Sequence, residues 1–174
     1  MIARRFLVAA FAAFALIACA PVEAPAEPTP VPPTPTTDVE ITLVRGVCFG
    51  FCPDYTVTIN GEGQVRYTGR RFVNAVGERT ATIPAADVAR LVARFDEIGF
   101  TNLQDAYRAN VSDLPTYRVT LTRSGQTKTV VDYGGTGAGM PTSVRELQDE
   151  IDRVAGTAQW VLRDGQPVRE TPAH

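Results

Sequence analysis

Seven prolines fall within residues 20–38 (APVEAPAEPTPVPPTPTTD), a stretch with no aromatic residue and no run able to bury a face. Proline lacks the amide donor that helices and sheet ladders require, so this segment reads as an extended, solvated tether. In polyproline geometry, at about 3.1 Å per residue, it would span roughly 50–60 Å. Any core must therefore be built from about Val39 onward. A chain of 174 residues then has room for one ordinary domain, set here at residues 39–162, with residues 163–174 as a flexible tail.

The chain ahead of the tether has the make-up of an export signal. Residues 1–5 carry Arg4 and Arg5, and residues 6–17 (FLVAAFAAFALI) form an uncharged apolar run. Such a run is too short to cross a bilayer, which takes about 20 residues, but it suits the hydrophobic part of a signal. Leu16, Ile17, Ala18 and Cys19 then resemble a bacterial lipobox. That resemblance implies a signal peptide over residues 1–18 and acylation of Cys19, which makes the lipid bilayer a partner. Several acyl chains hold a protein firmly where one holds it marginally. An aspartate after the cysteine often marks inner-membrane retention in bacteria with two membranes. Ala20 therefore points, by the same resemblance, to the outer membrane and its periplasmic side. The competing reading is an ordinary cleaved signal that happens to end in cysteine. In this compartment the PxxP spacing of the tether has no SH3-type partner to meet, and a spacer is the simpler account.

The globular part shows both periodicities. Val39, Ile41 and Leu43 alternate with polar neighbours, as do Tyr55, Val57 and Ile59, which is the pattern of half-buried strands. Asn60, Gly61, Glu62 and Gly63 supply a turn, and residues 64–68 return as the second arm of a hairpin. Residues 72–76 and 79–83 read as further extended chain broken at Gly77. Past Pro84, Val88, Leu91, Val92, Phe95 and Ile98 recur at helical spacing up to Gly99. Residues 117–123 and 127–133 read as a second hairpin around Ser124, Gly125 and Gln126. Ser143 and Glu146 have capping-box spacing, and Val144, Leu147, Ile151 and Val154 form one helical stripe that Gly156 closes. Strands grouped ahead of each helix predict an α+β fold, with an antiparallel sheet of five to six strands and two helices packed on one face.

The most distinctive run is Cys48-Phe49-Gly50-Phe51-Cys52-Pro53-Asp54-Tyr55. With it go Gly69-Arg70-Arg71-Phe72-Val73, Ser112-Asp113-Leu114-Pro115 and Gly156-Thr157-Ala158-Gln159-Trp160. On these motifs the chain from about Ile41 to Trp160 resembles an uncharacterised family of bacterial exported proteins, domain of unknown function 6438. The resemblance implies export and brings no activity with it. If Cys19 is taken by lipid, Cys48 and Cys52 are left as a pair in a compartment where disulfides persist. In an extended strand their Cα atoms would stand about 13 Å apart, whereas a bridge needs about 4.4–6.8 Å, so a bridged chain must turn, and Gly50 allows it. A structural disulfide is the expectation; a redox pair and free or metal-bound thiols are the competing readings.

Little else points to chemistry. The formal charge is −2, and removing Arg4 and Arg5 from 17 basic residues leaves 15 against 19 acidic ones, a formal −4. Scattered arginines on an acidic chain form no phosphate-tracking stripe, so nucleic acid is not an expected partner. The single histidine, His174, lies in the tail, which leaves no base for a serine or cysteine nucleophile and too few ligands for zinc. No catalytic residue, metal or cofactor is assigned. The glycine run 134–139 lacks both phosphate-loop spacings and reads as a flexible connector. Asp105, Asp113 and Asp132 are conceivable acid-base groups, with surface solvation the plainer account. Arg70 and Arg71 could meet a carboxylate of peptidoglycan or of an envelope protein, although adjacent strand residues point to opposite faces. Asp113 joins them as a candidate binding residue. The resulting expectation is a lipid-anchored envelope protein displaying a non-enzymatic binding or structural domain. The alternative is a periplasmic thiol-redox or hydrolytic enzyme.

Overall fold

A computed structural model describes residues 37–170; Cys19, the signal at residues 1–18, nearly all of the tether and His174 lie outside the described residues. In chain order the elements are β1 (Val39–Arg45), β2 (Asp54–Asn60), β3 (Gln64–Arg71), β4 (Gly77–Thr82), α1 (Ala85–Glu97), β5 (Ala106–Arg108), β6 (Thr116–Arg123), β7 (Gln126–Tyr133), α2 (Thr142–Ala155) and α3 (Ala158–Val161). A small ribbon, β8 (Leu162–Arg163) and β9 (Gln166–Pro167), follows. Seven strands form one sheet in the order β4-β3-β2-β1-β6-β7-β5, antiparallel except where β5 joins β7 in parallel.

The fold is α+β with a mostly antiparallel sheet, as the two periodicities imply. The sheet holds seven strands rather than five to six, and the described residues hold three helices rather than two. The excess lies in elements too short to show a period: β5 has three residues and α3 a single turn. Residues 72–76 also depart from the extended form expected of them. Phe72 turns to φ +54°, and the amides of Asn74 and Ala75 donate to Val161 and Trp160 carbonyls at 3.1 and 2.8 Å. The bend closes over Gly69, where a Cβ would lie 2.2 Å from the Ala75 carbonyl oxygen. The capping box is not formed: α2 starts behind Pro141 with no side-chain cap, and Glu146 pairs instead with Arg94 of α1 at 3.0 Å. Pro141 fits the non-helical lead-in to α2, so the helix begins there without Ser143. Residues 163–168, read from sequence as part of a tail, carry the ribbon and a buried Val168.

One sheet face is apolar. Ile41 and Leu43 from β1, Val57 and Ile59 from β2, and Val119 and Leu121 from β6 share a core with Leu91 and Phe95 of α1 and Leu147 and Ile151 of α2. Burial of each such side chain contributes about 1.5–3 kcal/mol. The whole core cluster lies between Val39 and Val161, so this stretch carries the core of a domain able to fold by itself. The opposite face is polar, with threonine hydroxyls paired across strands: Thr42 with Thr58 at 3.1 Å, Thr120 with Thr129 at 2.9 Å and Thr122 with Thr127 at 3.0 Å.

Candidate functional site

The two ends of the sheet differ, and the sequence-predicted residues collect at one of them. Arg45 closes β1 opposite Tyr117, near the start of β6, and Asp54 opens β2 opposite Arg71, at the end of β3. Loops 46–53, 72–76, 109–115 and 134–141 therefore leave the same edge of the sheet. The first is closed by the Cys48–Cys52 disulfide, whose Cα atoms are 5.6 Å apart. Gly50 takes φ +153° within it, and its amide donates to the Cys48 carbonyl at 3.0 Å. Two further bonds hold this loop: Gly46 donates to the carbonyl of Thr116, the first residue of β6, at 3.0 Å, and Phe49 to that of Asp113 in the neighbouring loop at 3.2 Å.

These two loops carry every large hydrophobic side chain that is exposed among the described residues. Phe49 is 89% exposed, with Phe51 and Val47 beside it and Val111 and Leu114 on the facing loop. Apolar side chains singly exposed are ordinary, but a contiguous set is not. The facing loop is seated on Gly134, where a Cβ would meet Leu114 at 3.0 Å, Ala109 at 3.1 Å and Val111 at 3.3 Å. Tyr133 holds it from the side, its hydroxyl donating to the Val111 carbonyl at 3.0 Å. Asp113 adopts φ +70°, a left-handed conformation that aspartate tolerates better than most residues. Its carboxylate accepts from the Ser112 hydroxyl at 2.8 Å.

The paired arginines separate as strand geometry requires. Arg70 is engaged: its Nε donates to Asp54 at 2.7 Å and Nη1 to Thr56 at 3.0 Å. Arg71 lies over the Phe72 ring at 5.1 Å, Phe72 meets Phe51 edge-on at 5.5 Å, and Arg169 stands over Phe51 at 5.9 Å. Among the described residues neither Arg71 nor Arg169 has a carboxylate partner. The tip thus combines exposed rings with two guanidinium groups that have no carboxylate partner among the described residues.

Beneath the tip lies a charged network that the sequence reading missed. Arg45 grips Asp152 through Nε at 3.0 Å and Nη2 at 2.8 Å, and reaches Asp149 at 2.8 Å. The Tyr55 hydroxyl and the Thr157 hydroxyl donate to the other Asp152 oxygen at 2.8 and 2.9 Å. Burial is the largest single influence and disfavours the Arg45 charge, yet Asp152, Tyr55 and Asp149 together outweigh it and hold the guanidinium above its ordinary pKa. Burial, reinforced by the same carboxylate, pushes the Tyr55 hydroxyl up. Alongside, Asp132 is 1% exposed, which corrects the surface role expected of it. It accepts from the Gly135 amide at 2.8 Å, Gln148 at 3.1 Å and Arg145 at 3.0 Å. The glycine run is therefore no slack connector: Gly135–Ala138 is a 3-10 turn tied to Asp132.

The buried Asp132 and the half-buried Asp152 both have their lone pairs occupied by donors, the arrangement of a structural network rather than of a proton-transfer pair. Asp105, by contrast, is exposed and paired with Lys128 at 2.6 Å. One signal for Asp132 was present in the sequence, because it shares strand parity with the buried Val130 and must point inward. Nothing comparable marks Phe49 and Phe51, since apolar residues are expected inside. No curated protein matches this sequence. Residues 39–155, from the first strand through the second helix, match a domain of unknown function, DUF6438, and the chain belongs to that family.

Proposed function

We propose that this protein is a lipid-anchored component of the bacterial cell envelope and that its domain is a non-enzymatic binding module whose contact surface is the disulfide-held tip. The observation that carries the reading is the confinement of Phe49, Phe51, Val47, Val111 and Leu114 to two loops fastened to each other. Exposed apolar side chains are stabilised by being covered, and a rigid loop presents them at little entropic cost. The anchor is proposed on the apolar run that ends at Cys19, with the periplasmic side of the outer membrane as its place.

Two measurements test the two halves. Cells producing the full chain should retain it in the washed membrane fraction, and Cys19→Ser should release it or leave the signal uncleaved. A mature N-terminus without acyl mass would overturn the anchor. A photoreactive amino acid at position 49 should give adducts in intact envelopes where the same group at position 126, on the opposite turn, gives none. Equal yields at both positions would overturn the tip as the contact surface.

A further inference from the structure

We propose that the occupant of the tip is an anionic phospholipid bilayer, into which the Phe49 and Phe51 rings insert while Arg71 and Arg169 meet the headgroup phosphates. This rests on the tip being the contact surface and names what it contacts.

Three observations favour lipid over a protein partner. First, the most exposed ring stands clear of the protein. Phe49 projects from the disulfide loop with 89% of its area free, and a fluid bilayer accepts a projecting ring without a matching pocket. Second, the apolar set consists of phenylalanine, valine and leucine, with no tyrosine or tryptophan handle, so its side chains supply area and no directional bonds. Specific protein interfaces are enriched in phenylalanine and arginine as well, but their dominant anchors include tyrosine and tryptophan, and the exposed set has neither. Third, the guanidinium groups of Arg71 and Arg169 lie beside the rings at 5.1 and 5.9 Å and have no carboxylate partner among the described residues. Asp113 is the acidic residue of the loops that carry the exposed set, and Ser112 donates to it. Cationic groups beside inserting rings match a phosphate-bearing interface, where each contributes to attraction within a Debye length.

Chain reach permits the geometry. The chain joins the sheet at Val39, at the end opposite the tip, and β1 spans about 24 Å at about 3.4 Å per residue. Residues 20–38 can reach at most roughly 60 Å. A domain anchored through Cys19 can therefore turn its far end onto the membrane that holds it.

The test uses the domain at residues 37–170, which contains the whole core and both loops and has no acyl chain to confound the result. Vesicles of phosphatidylcholine, with and without phosphatidylglycerol, are sedimented with the protein. Wild type should partition onto the mixed vesicles and only weakly onto the neutral ones, with added salt reducing the difference. Phe49→Ser should lower the partition coefficient about tenfold on both. The pair Arg71→Gln and Arg169→Gln should lower it about fivefold per residue on the mixed vesicles alone. Phe49→Ser touches the least packed side chain of the set, and an unchanged unfolding midpoint confirms that the variant is folded. Absence of binding by wild type, or binding undiminished in Phe49→Ser, overturns the lipid assignment. Adducts to a protein from position 49 in envelopes, together with no vesicle binding, would refute lipid while leaving the tip as the contact surface. Silence in both experiments would refute both.

Discussion

The two ends of the sheet are built from the same strands and finished differently. At the end where the chain enters, short polar turns close the hairpins: Asn60 caps its own turn by accepting from Glu62 and Gln64 amides at 3.2 and 2.8 Å, and Ser124 donates to Asp38 at 2.9 Å. At the tip, longer loops carry exposed rings, and a half-buried network of arginine and aspartate stands behind them. Removing one member of a desolvated charge pair strands the other, whereas an exposed hydrogen bond is replaced by water. The contrast therefore predicts that stability is concentrated under the tip and in the disulfide that holds it, while the exposed Phe49 side chain on top contributes little.

The largest effect should come from Asp152→Ala, which leaves Arg45 and the Tyr55 hydroxyl without their shared acceptor. We expect a loss of about 3 kcal/mol in urea unfolding of residues 37–170. Asp38→Ala, at the other end, should leave the midpoint in place. If the two variants unfold alike, the ends do not differ in the way described. Next, Cys48→Ser with Cys52→Ser should cost about 2 kcal/mol, the chain-entropy value for so short a loop, and should leave the sheet signal in circular dichroism unchanged. A collapse of that signal would mean that the disulfide organises the strands and not the loop alone.

A smaller effect concerns alkaline pH. The Tyr55 hydroxyl is held above the ordinary tyrosine value of about 10 by burial and by Asp152. Below that value the proton is present in both the folded and unfolded states, and the stabilisation is complete. As pH rises past it the unfolded chain releases the proton first, so stability falls toward the raised folded value. Tyr55→Phe should start lower and decline less steeply between about pH 9 and 11. Parallel slopes would show that Tyr55 is not the group responsible. The smallest effect on stability should be that of Phe49→Ser, within about 0.5 kcal/mol. A larger loss would mean that the ring packs against its own domain, which would blur the division between base and tip.

Much of this scaffold is legible in the sequence. The alternation of Val39, Ile41 and Leu43 and of Tyr55, Val57 and Ile59 identifies strands because only a half-buried sheet needs period two. The spacing of Val88, Leu91, Val92 and Phe95 identifies α1 for the corresponding reason. What escaped was short or paired at a distance. Three residues of β5 present a single inward side chain, Tyr107, and no repeat. Arg45 and Asp152 are joined across more than half of the described chain, so neither signals the other locally. Cys48 and Cys52 were expected to bridge, and the bridge is present, but the outward direction of the rings they hold depends on the facing loop.

The central place of β1 has a mechanical consequence. It is hydrogen-bonded along both edges, to β2 and to β6, and its two ends are the point where the chain enters the sheet and the root of the disulfide loop. Tension applied between an anchor upstream of Val39 and whatever holds the tip would run along seven residues of covalent backbone, in line with the strand. No hydrogen bond of the sheet lies across that load path. The domain would thus act under pull as a stiff link, with the rest of the sheet and both long helices bystanders to the force.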